Sequence, residues 1–157
     1  DLLMGTFGKA LGSCGAFVVC NKTWKDFLVN FSRSLIYTTA LPPVNLLWTT
    51  FIIQQTERFE PQRKKINKLI HLFKGLIQQI PWQSRAESHI IPVIIGDNKR
   101  CLALSAYLAQ QGFLCMPVRY PTVPKGTERL RISLTAATDE EEIHKLIELL
   151  IQAKRII

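Results

Sequence analysis

A primary amine set among glycines is the pattern in this sequence with the most to offer chemically: Thr6-Phe7-Gly8-Lys9-Ala10-Leu11-Gly12. Glycine and apolar neighbours flank Lys9, so the local sequence does not place it for solvation. Desolvation lowers a lysine's pKa and makes a neutral amine available as nucleophile or base. The hydroxyl of Thr6 can bind an anion beside that amine, and the glycines let the backbone approach a phosphate closely. Taken alone, the heptad is a weak signal and reads first as a surface lysine in a glycine-rich turn. It is not a Walker P-loop, because the order G-x-x-x-x-G-K-[ST] is missing.

Other reactive residue types lack a supporting pattern. His71, His89 and His144 have no metal-ligand spacing to one another. Cys14, Cys20, Cys101 and Cys115 form no C-x-x-C pair, and Cys20, Cys101 and Cys115 sit in apolar runs that read as buried thiols of a reducing compartment. Glu140, Glu141 and Glu142 are acids of a helix start, not a catalytic pair. No Ser/His/Asp arrangement is supported. The net charge of +8 raises nucleic acid or an acidic membrane as partners. Yet Arg58, Arg63, Lys64, Lys65, Lys68 and Lys74 fall where apolar residues recur at helical spacing, which makes them a solvated helix face. No aromatic residues interleave with them as a base-stacking platform requires. The most apolar stretch, 41–53, is too short to span a bilayer and contains Asn45, Thr49 and Thr50. No nucleic-acid or membrane partner is expected, and a cytoplasmic location is.

The elements that must position Lys9 can be read from periodicity and punctuation. Gly5, Gly8, Gly12 and Gly15 mark turns and close approach, and 15–20 reads as a buried strand. Asn21 can cap a helix from Lys22 with Trp24, Phe27, Leu28 and Phe31 on one face. Pro42 and Pro43 end what precedes, and Pro43 opens a helix carrying Leu46, Leu47, Thr50 and Phe51. Pro61 starts the next helix, with Ile66, Leu69, Ile70, Phe73, Leu76, Ile77 and Ile80 inward and Pro81 as its stop. Strands follow at 90–95, 113–118 and 130–134. Between the first two, Asp97 caps a helix over 98–111 that ends at Gly112. Thr138-x-x-Glu141 reads as a capping box. It opens a helix with Ile143, Leu146, Ile147, Leu150 and Ile151 inward and Lys154-Arg155 at its end, as the macrodipole favours. The fold class is α/β in two parts. Residues 1–50 finish one domain, and 51–157 supply a linking helix, near 62–80, and a small C-terminal domain with a mainly antiparallel sheet.

Four blocks in order resemble the α-oxoamine synthase family. They are Gly5-Thr6-Phe7-Gly8-Lys9-Ala10-Leu11-Gly12 followed by Gly15-Ala16, then Tyr37-Thr38-Thr39-Ala40-Leu41-Pro42-Pro43, then Ile94-Ile95-Gly96-Asp97-Asn98. The last runs from Tyr120-Pro121-Thr122-Val123-Pro124-Lys125-Gly126-Thr127-Glu128-Arg129 through Leu130-Arg131-Ile132-Ser133-Leu134-Thr135-Ala136. The resemblance covers essentially the whole chain. It implies the C-terminal part of an aminotransferase-like, fold-type I transferase dependent on pyridoxal 5'-phosphate (PLP): the end of the PLP-binding large domain plus a small C-terminal α/β domain. On this resemblance Lys9 is the cofactor lysine and the base on the substrate α-carbon. Thr6 contacts the cofactor phosphate, and Thr38 and Thr39 reach the phosphate of the partner subunit, which implies a homodimer with shared sites. Arg119 holds the amino-acid carboxylate, a task suited to a guanidinium, and Thr122 contacts substrate beside it.

Each of these residues has a competing role. Thr38 and Thr39 can cap the following helix, Arg119 can be a surface ion pair, and Arg129 and Arg131 alternate on a strand as structural residues. Within the family the blocks are most similar to the branch that condenses L-alanine with pimeloyl-CoA or pimeloyl-acyl carrier protein to give 8-amino-7-oxononanoate. Tyr120, where that branch usually has proline, instead resembles the aminolevulinate-forming branch, and an aminoketobutyrate-forming activity is a further alternative. The opening Asp1-Leu2-Leu3-Met4 reads as a cut through a longer polypeptide, because family members are more than twice as long. The ring-stacking aromatic and the aspartate facing the pyridine nitrogen precede the lysine segment in that family, so the chain alone is expected to be inactive. A reading from another class, a basic binding module that kept an enzyme's sequence, is opposed by Lys9, for which such a module has no use.

Overall fold

The clearest elements lie where strand alternation and helix caps agree. The computed structural model describes residues 1–154 and divides the chain into two compact units, Asp1–Phe59 and the residues from Glu60 onward. The second unit is built on a sheet of β3 (Gln83–Ser84), β4 (Ile90–Ile94), β5 (Met116–Val118) and β6 (Arg129–Ser133), in the order β3-β4-β6-β5 with every pairing antiparallel. The register sets Ile91 opposite Ile132 and Val93 opposite Leu130, and these four are buried, so one face of the sheet is core. Arg129 and Arg131 alternate onto the other face.

Three helices complete this core: α4 (Glu60–Leu76), α5 (Asn98–Gln110) and α6 (Glu140–Ala153). Helix α5 lies against β5 and β6, and α6 packs on α4 and α5. Leu69 and Phe73 of α4, Cys101, Leu104 and Leu108 of α5, and Ile143, Leu146, Ile147 and Leu150 of α6 are buried. The cations of α4 occupy its outer side, where Arg63 pairs with Glu60 at 2.9 Å and Lys65 with Asp139 at 3.3 Å. Asp97 Oδ1 accepts the Arg100 N–H at 2.9 Å, and Gly96 and Gly112 take the positive φ that the flanking turns require.

The first unit has a two-stranded antiparallel ribbon, β1 (Leu3–Thr6) with β2 (Ala16–Val19), followed by α1 (Lys22–Phe31), a short α2 (Arg33–Ile36) and α3 (Pro43–Gln55). Asn21 Oδ1 caps α1 by accepting the Trp24 N–H at 3.0 Å, and Pro43 sits in the first turn of α3. A 3₁₀ turn, Thr56–Phe59, leads to the start of α4 at Glu60.

Several expectations need correction. Strand β2 is exposed rather than buried, because its ribbon has only two strands and, within its own unit, the described residues put no layer over it. The apolar face of α1 is likewise open, and Cys20 is only half-buried. The strand expected at 113–118 shrinks to β5. The Phe113 N–H closes the end of α5 on the Leu108 carbonyl at 2.9 Å, and Ser105 Oγ holds the Cys115 carbonyl at 2.7 Å. The capping box of α6 is one residue later, from Asp139 to Glu142, whose Oε2 accepts the Asp139 N–H at 2.9 Å. Thr138 is otherwise engaged: its Oγ1 accepts the Thr135 N–H at 3.2 Å. Ile151 is exposed, while Leu149 and Ala153 are buried in its stead. Lys154 is the C-cap of α6; Arg155 lies outside the described residues.

Candidate active site

Nine residues, 7–15, join β1 to β2 and present Lys9. The loop closes on itself: the Phe7 N–H reaches the Gly15 carbonyl at 2.9 Å, the Ser13 N–H the Phe7 carbonyl at 3.0 Å, and the Gly12 N–H the Lys9 carbonyl at 3.0 Å. Thr6 Oγ1 donates to the Gly15 carbonyl at 3.2 Å and accepts the Gly8 N–H at 3.2 Å. Gly15 has φ +98°, and a Cβ there would lie 2.6 Å from Leu41 Cδ1, so a larger residue would strain the backbone and displace Leu41.

Helix α3 fixes this loop from below. Trp48 Nε1 donates to the Leu11 carbonyl at 3.0 Å, Ser13 Oγ to the Asn45 carbonyl at 3.4 Å, and Thr49 Oγ1 to Ser13 Oγ at 2.8 Å. Thr49 is buried. Sequence reasoning missed Ser13, Trp48 and Thr49; the available signal was a threonine in the middle of an apolar helix. Against expectation Lys9 is exposed, since within its own unit no layer of the described residues lies over the ribbon to desolvate it. Its side chain has no hydrogen bond or ion pair among the described residues, which leaves the amine open to a carbonyl compound.

Thr38 and Thr39 are exposed. The alternative role of capping α3 does not hold: its N-cap is Pro42, with no side-chain cap. Thr38 Oγ1 makes only a long bond to the Thr39 carbonyl, at 3.4 Å. Leu41, two residues on, packs over Gly15, so this segment borders the loop that bears Thr6 and Lys9.

Arg119 and Thr122 belong to the second unit, on the loop between β5 and β6. Both are exposed, and Arg119 makes no ion pair among the described residues, against its reading as a surface ion pair. The Val123 N–H donates to the Arg119 carbonyl at 3.2 Å, around a cis Tyr120–Pro121 bond. A concavity of about 310 Å³ lies beside the loop, lined by Gly96, Asp97, Asn98, Tyr120, Lys125 and Glu128. Burial pushes the Cys101 thiol up from its ordinary value; the Arg119 charge opposes that, while Glu128 and Asp97 add to it. Arg129 is structural, its Nε donating to the Thr127 carbonyl at 2.9 Å. Among the described residues no group of His, Cys, Asp and Glu could hold a metal ion. Among the described residues no helix is long and apolar enough to cross a membrane.

Residues 1–150 match the family of aminotransferases class I and II. The chain is 45% identical over 148 residues to 8-amino-7-oxononanoate synthase of Haemophilus ducreyi, covering 94% of this chain and 38% of the relative. It is 47% identical over 150 residues to the putative 8-amino-7-oxononanoate synthase of Pasteurella multocida, again 94% of this chain and 38% of the relative. Among solved structures, serine palmitoyltransferase of Sphingomonas wittichii superposes with a TM-score of 0.87 at 26% identity, over 99% of this chain and 40% of that one. The chain therefore spans 38% of the length of the curated relatives it matches. The α/β architecture and the resemblance to α-oxoamine synthases are borne out.

Proposed function

Because the chain belongs to the aminotransferase class I and II family, we propose that it forms the C-terminal part of a PLP-dependent α-oxoamine synthase. The reaction is condensation of L-alanine with a pimeloyl thioester to 8-amino-7-oxononanoate, releasing carbon dioxide and the thiol. Bound PLP supplies the aldehyde that a lysine amine can join and the ring that accepts an electron pair. The chain's own residues hold, orient and move a proton. Lys9 would hold PLP through its amine, and that amine, when free, would take the proton from the substrate α-carbon. Thr6 holds the phosphate; its one hydroxyl proton now serves the Gly15 carbonyl and must turn to do so. Thr38 and Thr39, which serve no helix cap, donate to the phosphate of the partner subunit's site, so the protein works as a homodimer. Arg119 pairs with the amino-acid carboxylate, and Thr122 contacts substrate beside it. The open apolar sides of α1 and α3 support an assembly in which further polypeptide covers this unit. The exposed cations of α4 serve solvation, and the protein works in the cytoplasm, with no nucleic-acid or membrane partner.

The observation that carries this reading is the free Lys9 amine on a glycine loop pinned to α3 through Trp48, Ser13 and Thr49. A chimera tests it, with this chain in place of the matching C-terminal segment of the Haemophilus ducreyi synthase. Incubation with PLP and borohydride reduction should fix the cofactor on Lys9. Lys9→Ala should lower turnover of L-alanine and pimeloyl-CoA by at least roughly 10²–10⁴-fold, the range of a lost proton-transfer group. An adduct mapped to another lysine, or Lys9→Ala at full activity, overturns the assignment. Turnover of glycine in preference to alanine would move the protein to the aminolevulinate- or aminoketobutyrate-forming branch.

A further inference from the structure

We propose that Glu128 is the positioning residue of the loop that bears Arg119 and Thr122, an inference that rests on reading that loop as the amino-acid carboxylate site. Glu128 is 3% exposed, and with Thr49 it makes up the buried polar residues among those described. No cation pairs with it among the described residues. A carboxylate buried without a counter-ion is costly unless hydrogen bonds return what water gave. Here the side chain accepts one such bond, and that bond shapes the loop.

Glu128 Oε2 accepts the Gly126 N–H at 2.9 Å, at a glycine with φ +84°. The main-chain carbonyl of Glu128 accepts both the Ile95 N–H, at 2.7 Å, and the Gly96 N–H, at 3.0 Å. One residue thus ties the returning end of the loop to the corner between β4 and α5. From there the ties continue towards Arg119. Thr127 donates to the Pro124 carbonyl through Oγ1 at 2.6 Å and through its N–H at 3.1 Å. The Val123 N–H then closes on the Arg119 carbonyl at 3.2 Å. Each bond links adjacent stretches of 119–128; the returning end is held by the buried Glu128 and by the Arg129 Nε bond to the Thr127 carbonyl, and Val118 beside Arg119 is paired with Arg129 in the sheet. Removing its carboxylate leaves the Gly126 N–H without its acceptor and frees a glycine that holds an unusual φ. The stretch from Tyr120 to Thr127 then loses the tie that sets its path, which shifts the loop bearing Arg119 and Thr122 although Val118 stays paired with Arg129 and no group that touches substrate has changed.

The test uses the same chimera, with L-alanine half-saturation and kcat measured separately. Glu128→Ala should raise the half-saturation about tenfold, the scale of one lost charged hydrogen bond, and leave kcat within about twofold. Glu128→Gln keeps an oxygen acceptor for Gly126 and should restore near-parental affinity. Thr127→Val leaves Glu128 in place, removes the Oγ1 tie and should raise the half-saturation about two- to threefold. An unchanged half-saturation in folded Glu128→Ala overturns the proposal, and so does Glu128→Gln as impaired as Glu128→Ala. If Glu128→Ala fails to fold, Thr127→Val decides, and unchanged alanine affinity there overturns it. Arg119→Ala separates the two levels. No change in it refutes the carboxylate reading itself, whereas weaker binding in Arg119→Ala beside none in Glu128→Ala refutes only the positioning role.

Discussion

The two units use apolar residues in opposite ways. Every buried hydrophobic side chain among the described residues lies between Leu69 and Ala153, in the unit that begins at Glu60. In the unit with Lys9 the large apolar side chains stand open: Phe27 is 50% exposed, Phe31 66% and Leu47 72%. Helix α3 has apolar residues around its circumference, at Leu46, Leu47, Trp48, Phe51 and Ile53. A helix apolar all round is one made to be covered on all sides. What holds the lysine loop within this unit is a few directed polar bonds from α3, whereas the loop bearing Arg119 is anchored on a packed sheet. Burial supplies cohesion in one unit; in the other, hydrogen-bond geometry supplies position without cohesion.

The comparison breaks if aromatic residues on the two sides matter equally. Phe73 of α4 is fully buried, and Phe73→Ala should lower stability by about 3–5 kcal/mol through lost transfer energy and the cavity left behind. Phe27 of α1 stacks on Phe31 with ring centroids 4.8 Å apart and is half exposed. Phe27→Ala should change stability by about 0.5 kcal/mol or less. Urea unfolding of this chain, followed by far-ultraviolet circular dichroism, measures both. Equal losses would mean that the first unit has a cohesion of its own.

The same contrast explains what the sequence made legible. Caps at Asn21 and Asp97 were readable because a cap is settled within four residues. Strands β4 and β6 were readable from apolar runs and alternation, which their register turns into one buried face. Strand β3 escaped notice because two residues, Gln83 and Ser84, carry no periodicity. The capping box was misplaced by one residue because Thr138 and Asp139 are both good caps, and only the turn with Thr135 shows which is free. Burial of β2 was misjudged because an apolar run shows only that a strand can be covered. At the candidate site, Lys9 was legible from its neighbours and the family resemblance. The support from Thr49 to Ser13 spans 36 residues and leaves no local pattern. Glu128 lies inside a motif block, between Thr127 and Arg129, and no local pattern marks its carboxylate as buried.

Thiols sharpen the comparison at a smaller energy. Burial pushes Cys115 up from 9.0 to about 11, and raises Cys101 as well, while Cys14 is exposed. An acid whose folded pKa lies above its unfolded value keeps its proton in the fold while the unfolded chain loses it. The unfolded state then binds fewer protons, so stability is fully present below pH 9 and falls as pH rises towards 11. The rise at Cys115 corresponds to a loss of about 2–3 kcal/mol across that window. Cys115→Ala should flatten most of the alkaline fall, leaving the part due to Cys101. A fall that persists in full in Cys115→Ala would show that this thiol is not protected by the second unit's core.

The finest comparison uses one interaction in two settings. Asp97 and Asn21 each accept, through Oδ1, the N–H three residues on, at 2.9 Å and 3.0 Å. Such a cap contributes about 1 kcal/mol to its helix wherever it occurs. Whether that free energy appears in global stability depends on whether the helix can fray without breaking anything else. Helix α5 cannot: Cys101, in its first turn, is buried, as are Leu104 and Leu108, so loosening the N-terminus loosens the core. Helix α1 can, because none of its residues is buried. Asp97→Ala should therefore lower the unfolding free energy by about 1 kcal/mol, and Asn21→Ala by no more than a few tenths. The missing part in Asn21→Ala should surface locally, as faster amide hydrogen exchange at Trp24 and Lys25, with exchange in α5 and α6 unchanged. If Asn21→Ala instead shifts global unfolding as far as Asp97→Ala, α1 is coupled to a cooperative core, and the contrast between the units does not extend to their helices.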